Sequence, residues 1–153
     1  MANNSGHNYQ LLHAPDNIGQ KALEELIKEP VVKNALDVIE KTSIIIHSIG
    51  NAFEMAQRRK SSKEILKVLE EKKAVSESFG SYFDESGSEI FKTSTIGMSF
   101  KDVDGIDNVF TIVGGEEKAD AVFSYLNTKP ANATLIIDEA ICKKIIKKVN
   151  NNF

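Results

Sequence analysis

Apolar residues come along this chain in short bursts, some spaced by three and four and some in unbroken runs, with glycine, proline or charged clusters between them. The first kind reads as a helix with one buried face, the second as a strand inside a sheet. Tyr9 to His13 is apolar enough for a short strand, and Pro15-Asp16-Asn17 is turn material ahead of a helical pattern from Ile18 to Lys28. Pro30 suits the first position of a second helix, running to about Glu40, because the amide it lacks would have no partner there. Ser43 to Ile49 is a continuous run closed by Gly50, the pattern of a central strand buried on both faces. Ser61 and Glu64 form a capping box ahead of Ile65, Leu66, Val68 and Leu69, which predicts a helix from Ser62 to about Lys72.

Ala74 to Phe79 is a second buried run, ended by Gly80. Tyr82-Phe83, the turn Asp84-Glu85-Ser86-Gly87 and Ile90-Phe91 predict a β-hairpin, since turn formers separate two aromatic-bearing extended pieces. Two strand-to-helix units follow. Val109 to Val113 is a strand, Gly114-Gly115 a break, and Glu117 to Leu126 a helix with Ala119, Val122, Phe123 and Leu126 along one side. Thr134 to Ile137 is the last strand, Asp138 an N-cap, and Ala140 to Val149 a helix with Ile141, Ile145, Ile146 and Val149 inward and Lys143, Lys144, Lys147 and Lys148 outward. Alternation of this kind predicts an α/β fold: a mostly parallel, Rossmann-like sheet flanked by helices, with a β-hairpin insertion. We divide the chain into a flexible N-terminus, 1–8, and one domain, 9–150.

Composition narrows the picture modestly. The length of 153 residues suits one domain, and 41% hydrophobic with 27% charged residues is ordinary for a globular protein without a membrane span. A polar start at Met1 to Asn8 carries no secretory pattern, and a single cysteine, Cys142, cannot form an internal disulfide, so a cytoplasmic location is expected. A net charge of −3 provides no global attraction to nucleic acid.

Candidate chemistry concentrates after the strands, where helix N-termini present free amides to a ligand. Gly50-Asn51-Ala52, Gly114-Gly115 and Asp138-Glu139 are the three such places. Lys118 falls in a first helical turn, where the helix dipole disfavours a cation unless an anion is bound nearby. Arg58 begins the densest basic cluster outside the last helix, Arg58-Arg59-Lys60, and an arginine there can grip a phosphate with two charge-assisted bonds. The plain alternative for both is a solvated surface. Glu77 stands in an otherwise apolar strand, where a carboxylate either points outward or needs a partner. His47 reads as a hydrogen-bonded core histidine, and Cys142 as a small buried hydrophobe. His7 and His13 share no ligand spacing with His47; no metal and no cofactor are expected.

Seven blocks in order carry a resemblance over Tyr9 to Ile146: Tyr9-Gln10-Leu11-Leu12-His13-Ala14-Pro15-Asp16, Glu29-Pro30, Ile46-His47-Ser48-Ile49-Gly50-Asn51-Ala52, Met55-Ala56-Gln57-Arg58-Arg59, Ala74 through Asp84, Gly114-Gly115-Glu116-Glu117-Lys118-Ala119, and Ile137-Asp138-Glu139. The segment resembles the effector-binding domain of the SorC family of bacterial sugar-responsive transcription regulators. The resemblance implies a sheet similar to that of sugar-phosphate isomerases and a sugar-phosphate effector, fructose 1,6-bisphosphate among the candidates. It implies that Arg58, Glu77 and Lys118 surround one phosphate end, that Gly50 and Gly115 let backbone approach the ligand, and that Asp84 joins the ligand-binding set. It further implies homo-oligomers, and DNA contact only through a helix-turn-helix domain outside this sequence. Ser48 stands where the family usually has glycine and Asn51 where it usually has aspartate. The Gly-Gly-Thr-Thr-like loop that holds the other phosphate in the family is not found here, so the chain is expected to begin inside the effector domain.

Two other readings stay open at this stage. A small sugar-phosphate isomerase-like enzyme would need a general base, for which Glu77, Asp84, Asp138 and His47 are available. A truncated product would act by pairing with a full-length homologue.

Overall fold

The computed structural model describes residues 6, 8–12, 14, 18–130 and 132–151; the expectations for His7, His13 and Pro15 to Asn17 lie outside these. The chain divides into two compact units, Met1–Thr42 with Ser94–Gly97, and Ser43–Thr93 with Met98–Phe153. In the first, helix α1 (Gln20–Leu26) is followed by α2 (Pro30–Ile39), with Pro30 in the first turn as its sequence predicts. Val32 and Ala35 are the buried residues of α2. The strand expected at Tyr9–His13 is not formed over its described part: Asn8 to Leu12 is irregular, and Tyr9 and Leu11 are exposed, so their apolar character is not used to fill a core.

The second unit holds two sheets. Three parallel strands stand in the order β1 (Ile44–His47), β6 (Asn108–Val113), β7 (Ala133–Ile137). Four antiparallel strands stand in the order β2 (Gly50–Asn51), β3 (Ser76–Ser78), β4 (Ser81–Phe83), β5 (Glu89–Lys92). Helices α3 (Ala52–Arg58) and α4 (Lys63–Glu71) lie between β2 and β3 in the chain, and the short α5 (Phe100–Val103) lies between β5 and β6. A 3-10 turn (Glu116–Lys118) leads into α6 (Ala119–Asn127), and α7 (Glu139–Asn150) follows β7.

The α/β reading holds, and the expected hairpin is β4–β5, extended by β2 and β3 into a sheet of its own. One core packs α6 and α7 against the parallel sheet through Val113, Ala119, Val122, Tyr125 and Ile141. Another packs α3 and α4 against the antiparallel sheet through Ala52, Ala56, Leu69 and Tyr82.

Four expectations are corrected. The run at Ser43–Ile49 is not a central strand buried on both faces; β6 is central, and Ile44 and Ile46 on β1 are 58% and 66% exposed. The odd-numbered face, with Ile45, Val109 and Val113, is the buried one, and an unbroken isoleucine run looks the same whether one face or both are covered. The cap of α4 is Ser62 rather than Ser61, its hydroxyl accepting from the Ile65 amide at 3.4 Å. Cys142 is exposed, because the inward stripe of α7 is Ile141, Ile145 and Lys148, and the next residue along a helix turns about 100° away. Lys148 is accordingly not on the outer face: it pairs with Glu85 and with Asp120 (2.7 Å) and sits 5.0 Å over the Phe123 ring.

Candidate functional site

Gly50 and Asn51 form β2 and at once begin α3. The Asn51 side chain accepts hydrogen bonds from the amides of Phe53 (3.0 Å) and Glu54 (3.3 Å), the capping role that asparagine and aspartate share. Gly50 is the antiparallel partner of Glu77. A methyl group on Gly50 would fall 2.2 Å from Met55 Cγ and 3.6 Å from Glu77 Oε2, so a side chain here would require Met55 to move.

Helix α3 ends in two arginines that go different ways. Arg58 is exposed, its Nη2 2.6 Å from Glu54 Oε1 one turn back on the same helix. Arg59, at the C-cap, is turned inward: Nη2 lies 3.0 Å from Glu77 Oε1, and Nη1 donates to the buried Tyr82 hydroxyl at 3.3 Å. Glu77 is 3% exposed, and the same Oε1 accepts the Gly80 amide at 2.7 Å. Burial of Arg59 works against its charge, but the Glu77 carboxylate and the Tyr82 hydroxyl outweigh this and raise its pKa. The buried carboxylate therefore has its cation, and that cation is Arg59 rather than Arg58. A run of basic residues cannot say which member faces inward; the signal that could have found Arg59 is the placement of Glu77 in a buried strand, which demands a cation from a neighbouring element.

The second locus follows β6. Gly115 has φ +103°, a conformation that favours glycine, and its amide donates to Asp138 Oδ2 at 2.6 Å. The other Asp138 oxygen caps α7 by accepting from the Ile141 amide at 2.8 Å, as expected of this residue. These bonds, from Gly115 first and then Ile141, hold the Asp138 carboxyl below its ordinary pKa. Lys118 ends the 3-10 turn, its amide donating to the Gly115 carbonyl at 3.0 Å, and its side chain is half-buried. Among the described residues no ion pair joins Lys118 to Glu77.

Asp84 stands apart from both loci. Its Oδ1 accepts from the Ser86 hydroxyl (2.6 Å) and the Ser88 amide (3.0 Å), closing its own turn, and the Ser86 bond leads in lowering its pKa. It lines a cavity of about 570 Å3 with Lys72, Glu85, Phe123, Asn127 and Lys148, in which Arg58, Glu77 and Lys118 take no part.

His47 is the hydrogen-bonded histidine its sequence context predicts. Its Nε2 is 2.7 Å from Thr111 Oγ1, which is 3.1 Å from the Tyr125 hydroxyl, and its Nδ1 is 3.4 Å from Ser78 Oγ. Burial lowers its pKa, against a smaller opposing effect of the Ser48 carbonyl. Its ring meets Phe79 at 4.7 Å, held there by the β3–β4 turn, where Phe79 and Gly80 have φ +51° and +78°.

Residues 1–147 match the family model described as "Putative sugar-binding domain". The chain belongs to this family of sugar-binding domains. Its relatives in the family include the central glycolytic genes regulator of Bacillus subtilis, 38% identical over 147 residues, and that of Priestia megaterium, 33% identical over 150. The matches take in 96% and 98% of this chain but 43% and 44% of those proteins, so the chain spans less than half the length of either. Among solved structures, the "putative SorC family transcriptional regulator" of Enterococcus faecalis superposes with a TM-score of 0.89 at 38% identity, over 95% of this chain and 59% of that one. The full-length sorbitol operon regulator SorC of Klebsiella pneumoniae shares the fold alone, with a TM-score of 0.69 at 14% identity over 86% of this chain and 45% of that one. These sugar-binding-domain relatives are named as bacterial transcriptional regulators, and no described helix of this chain is long and apolar enough to cross a membrane.

Proposed function

We propose that this chain is the sugar-phosphate-binding portion of a cytoplasmic, SorC-type regulator of carbohydrate metabolism, and that it acts by binding an effector, not by catalysis. The observation that carries the reading is the family match over residues 1–147 combined with 38% identity to a regulator of central glycolytic genes. Arg58 and Lys118 are the phosphate contacts: both are basic side chains open to solvent, Arg58 exposed at the end of the helix that Gly50 and Asn51 begin, and Lys118 half-buried just after Gly115. Gly50 and Gly115 shape those turns. Glu77, being buried and ion-paired, acts by orienting its neighbours rather than by meeting the ligand. Asp84, committed to its own turn, is set aside from the contact set.

Against an isomerase, each candidate base is already engaged: Glu77 by Arg59 and Gly80, Asp84 by Ser86 and Ser88, Asp138 by Gly115 and Ile141, and His47 by Thr111. DNA contact, and the self-association through which a regulator would respond, belong to the whole protein and extend the same proposal.

Titration calorimetry with fructose 6-phosphate and with fructose 1,6-bisphosphate tests the reading. Binding of either is expected, weakened about tenfold or more by Arg58→Ala and by Lys118→Ala, since a hydrogen bond to a charged group contributes about 1.5–3 kcal/mol. No heat from either sugar phosphate with the unaltered chain would overturn it, and turnover of fructose 6-phosphate would replace it with the enzyme reading.

A further inference from the structure

We infer that Arg59 is the positioning residue of the site: it pairs with the buried Glu77, and through Glu77 it sets the Gly80 amide and the turn that carries Phe79. The functional half of this inference rests on the sugar-phosphate reading above; the structural half does not.

Two elements meet at one carboxylate, and a third braces its cation. From α3, Arg59 Nη2 reaches Glu77 Oε1 at 3.0 Å, with the two side chains 16% and 4% exposed. From β4, Tyr82 is fully buried and its hydroxyl receives Arg59 Nη1 at 3.3 Å, which fixes the guanidinium plane. From the β3–β4 turn, the Gly80 amide donates to the same Oε1 at 2.7 Å. The second carboxylate oxygen faces Gly50, where a methyl group would be 3.6 Å away. Among the described residues the charged group paired with Glu77 is Arg59, itself bonded to Tyr82, and the titratable group on the turn is His47, whose ring meets Phe79.

A carboxylate this buried needs a cation on it. Without Arg59, Glu77 is left without its ion pair, and the oxygen that accepts from the Gly80 amide is no longer held in place. The turn matters because Phe79, a bulky residue at φ +51°, is held over the His47 ring at 4.7 Å, just after the end of β1 where the chain enters β2 and Gly50. Lysine at 59 could supply charge to Glu77 but not the second, planar contact to Tyr82.

The test uses the whole chain, labelled with 15N, and fructose 6-phosphate as probe. In the unaltered chain the Gly80 amide is expected to exchange slowly with solvent. In Arg59→Met it should exchange about tenfold faster or more while the Val122 amide of α6 keeps its rate, and fructose 6-phosphate affinity should fall about tenfold or more at constant pH, with Arg59→Lys recovering part of both. Arg58→Ala should weaken the probe while leaving the Gly80 exchange rate unchanged. If Arg59→Met is too unstable to study, the Arg59→Met/Glu77→Gln double variant removes both charges and should recover folding.

A Gly80 amide that exchanges no faster in Arg59→Met, or a double variant no better folded than Arg59→Met alone, would overturn the inference. Faster Gly80 exchange in a chain that binds no sugar phosphate would uphold the Arg59–Glu77–Gly80 linkage and overturn its assignment to an effector site.

Discussion

The two glycine-turn loci, one around Gly50 and one around Gly115, have the same general layout and opposite construction. At the first, the organising carboxylate is Glu77, buried 3% exposed within β3 and matched by a buried arginine. At the second it is Asp138, outside the core, held by two backbone amides and, among the described residues, paired with no cation. A carboxylate stripped of water must have a counter-charge, whereas one in contact with water needs only directional donors. The first locus is therefore built into the fold and the second laid onto it. A ligand approaching Gly115 competes with or joins a surface contact; one approaching Gly50 meets a rigid frame.

The contrast breaks most visibly at the ion pair. Glu77→Ala leaves the Arg59 guanidinium half-buried with its main partner gone, and should lower unfolding stability by about 3–5 kcal/mol, the range for breaking a buried pair. Denaturant unfolding measures it, with Arg58→Ala as the control at about 0.5 kcal/mol or less, because its pair with Glu54 is on the surface. A Glu77→Ala loss no larger than that of Arg58→Ala would remove the distinction between the loci.

Gly115→Ala comes next. At φ +103° an alanine is strained, and a cost of about 1–3 kcal/mol is expected in the same experiment. A smaller loss is expected from Asp138→Ala, with Asp138→Asn between it and the unaltered chain, because asparagine can keep the cap on Ile141 but its amide nitrogen cannot accept from Gly115. Its sign with pH is also set: the folded pKa is lowered, so the contribution is present above the unfolded value and lost as pH falls through the folded one.

The smallest effect is at His47. Burial lowers its pKa, so below the unfolded value of about 6.5 the unfolded chain binds a proton that the folded chain does not. Stability conferred by the neutral ring is complete above that pH and declines as pH falls below it. Thermal midpoints from pH 7.5 to 5 should show this slope flattened in His47→Gln.

Much of the fold was legible in the sequence because periodicity reports which residues avoid water. Pro30 at the start of α2, the β4–β5 hairpin and the Asp138 cap all stand where local pattern predicts them. The errors over burial have one cause. Tyr9 and Leu11 are apolar and exposed, Ile44 and Ile46 are on the open face of β1, and Cys142 is one residue off the inward stripe of its helix. Apolar character states a preference for burial, but the partner surface is contributed by residues far away in the chain. The short α5 shows the converse: a Ser99–Asp102 capping box marks its start in the sequence, yet four residues give too little periodicity to be recognised.

For the site, the sequence by itself determined the family, the glycine turns and a carboxylate at Glu77 that either points outward or needs a partner. Only the tertiary structure decided that the cation is Arg59, that Arg58 is exposed beside Glu54, and that Asp84 belongs to a different cavity. The reason is geometric: neighbouring residues on a helix are separated by about 100° of rotation, so which arginine meets Glu77 is set by how α3 lies on the β2–β3–β4 sheet. That is a property of the packed elements and of no single stretch of chain.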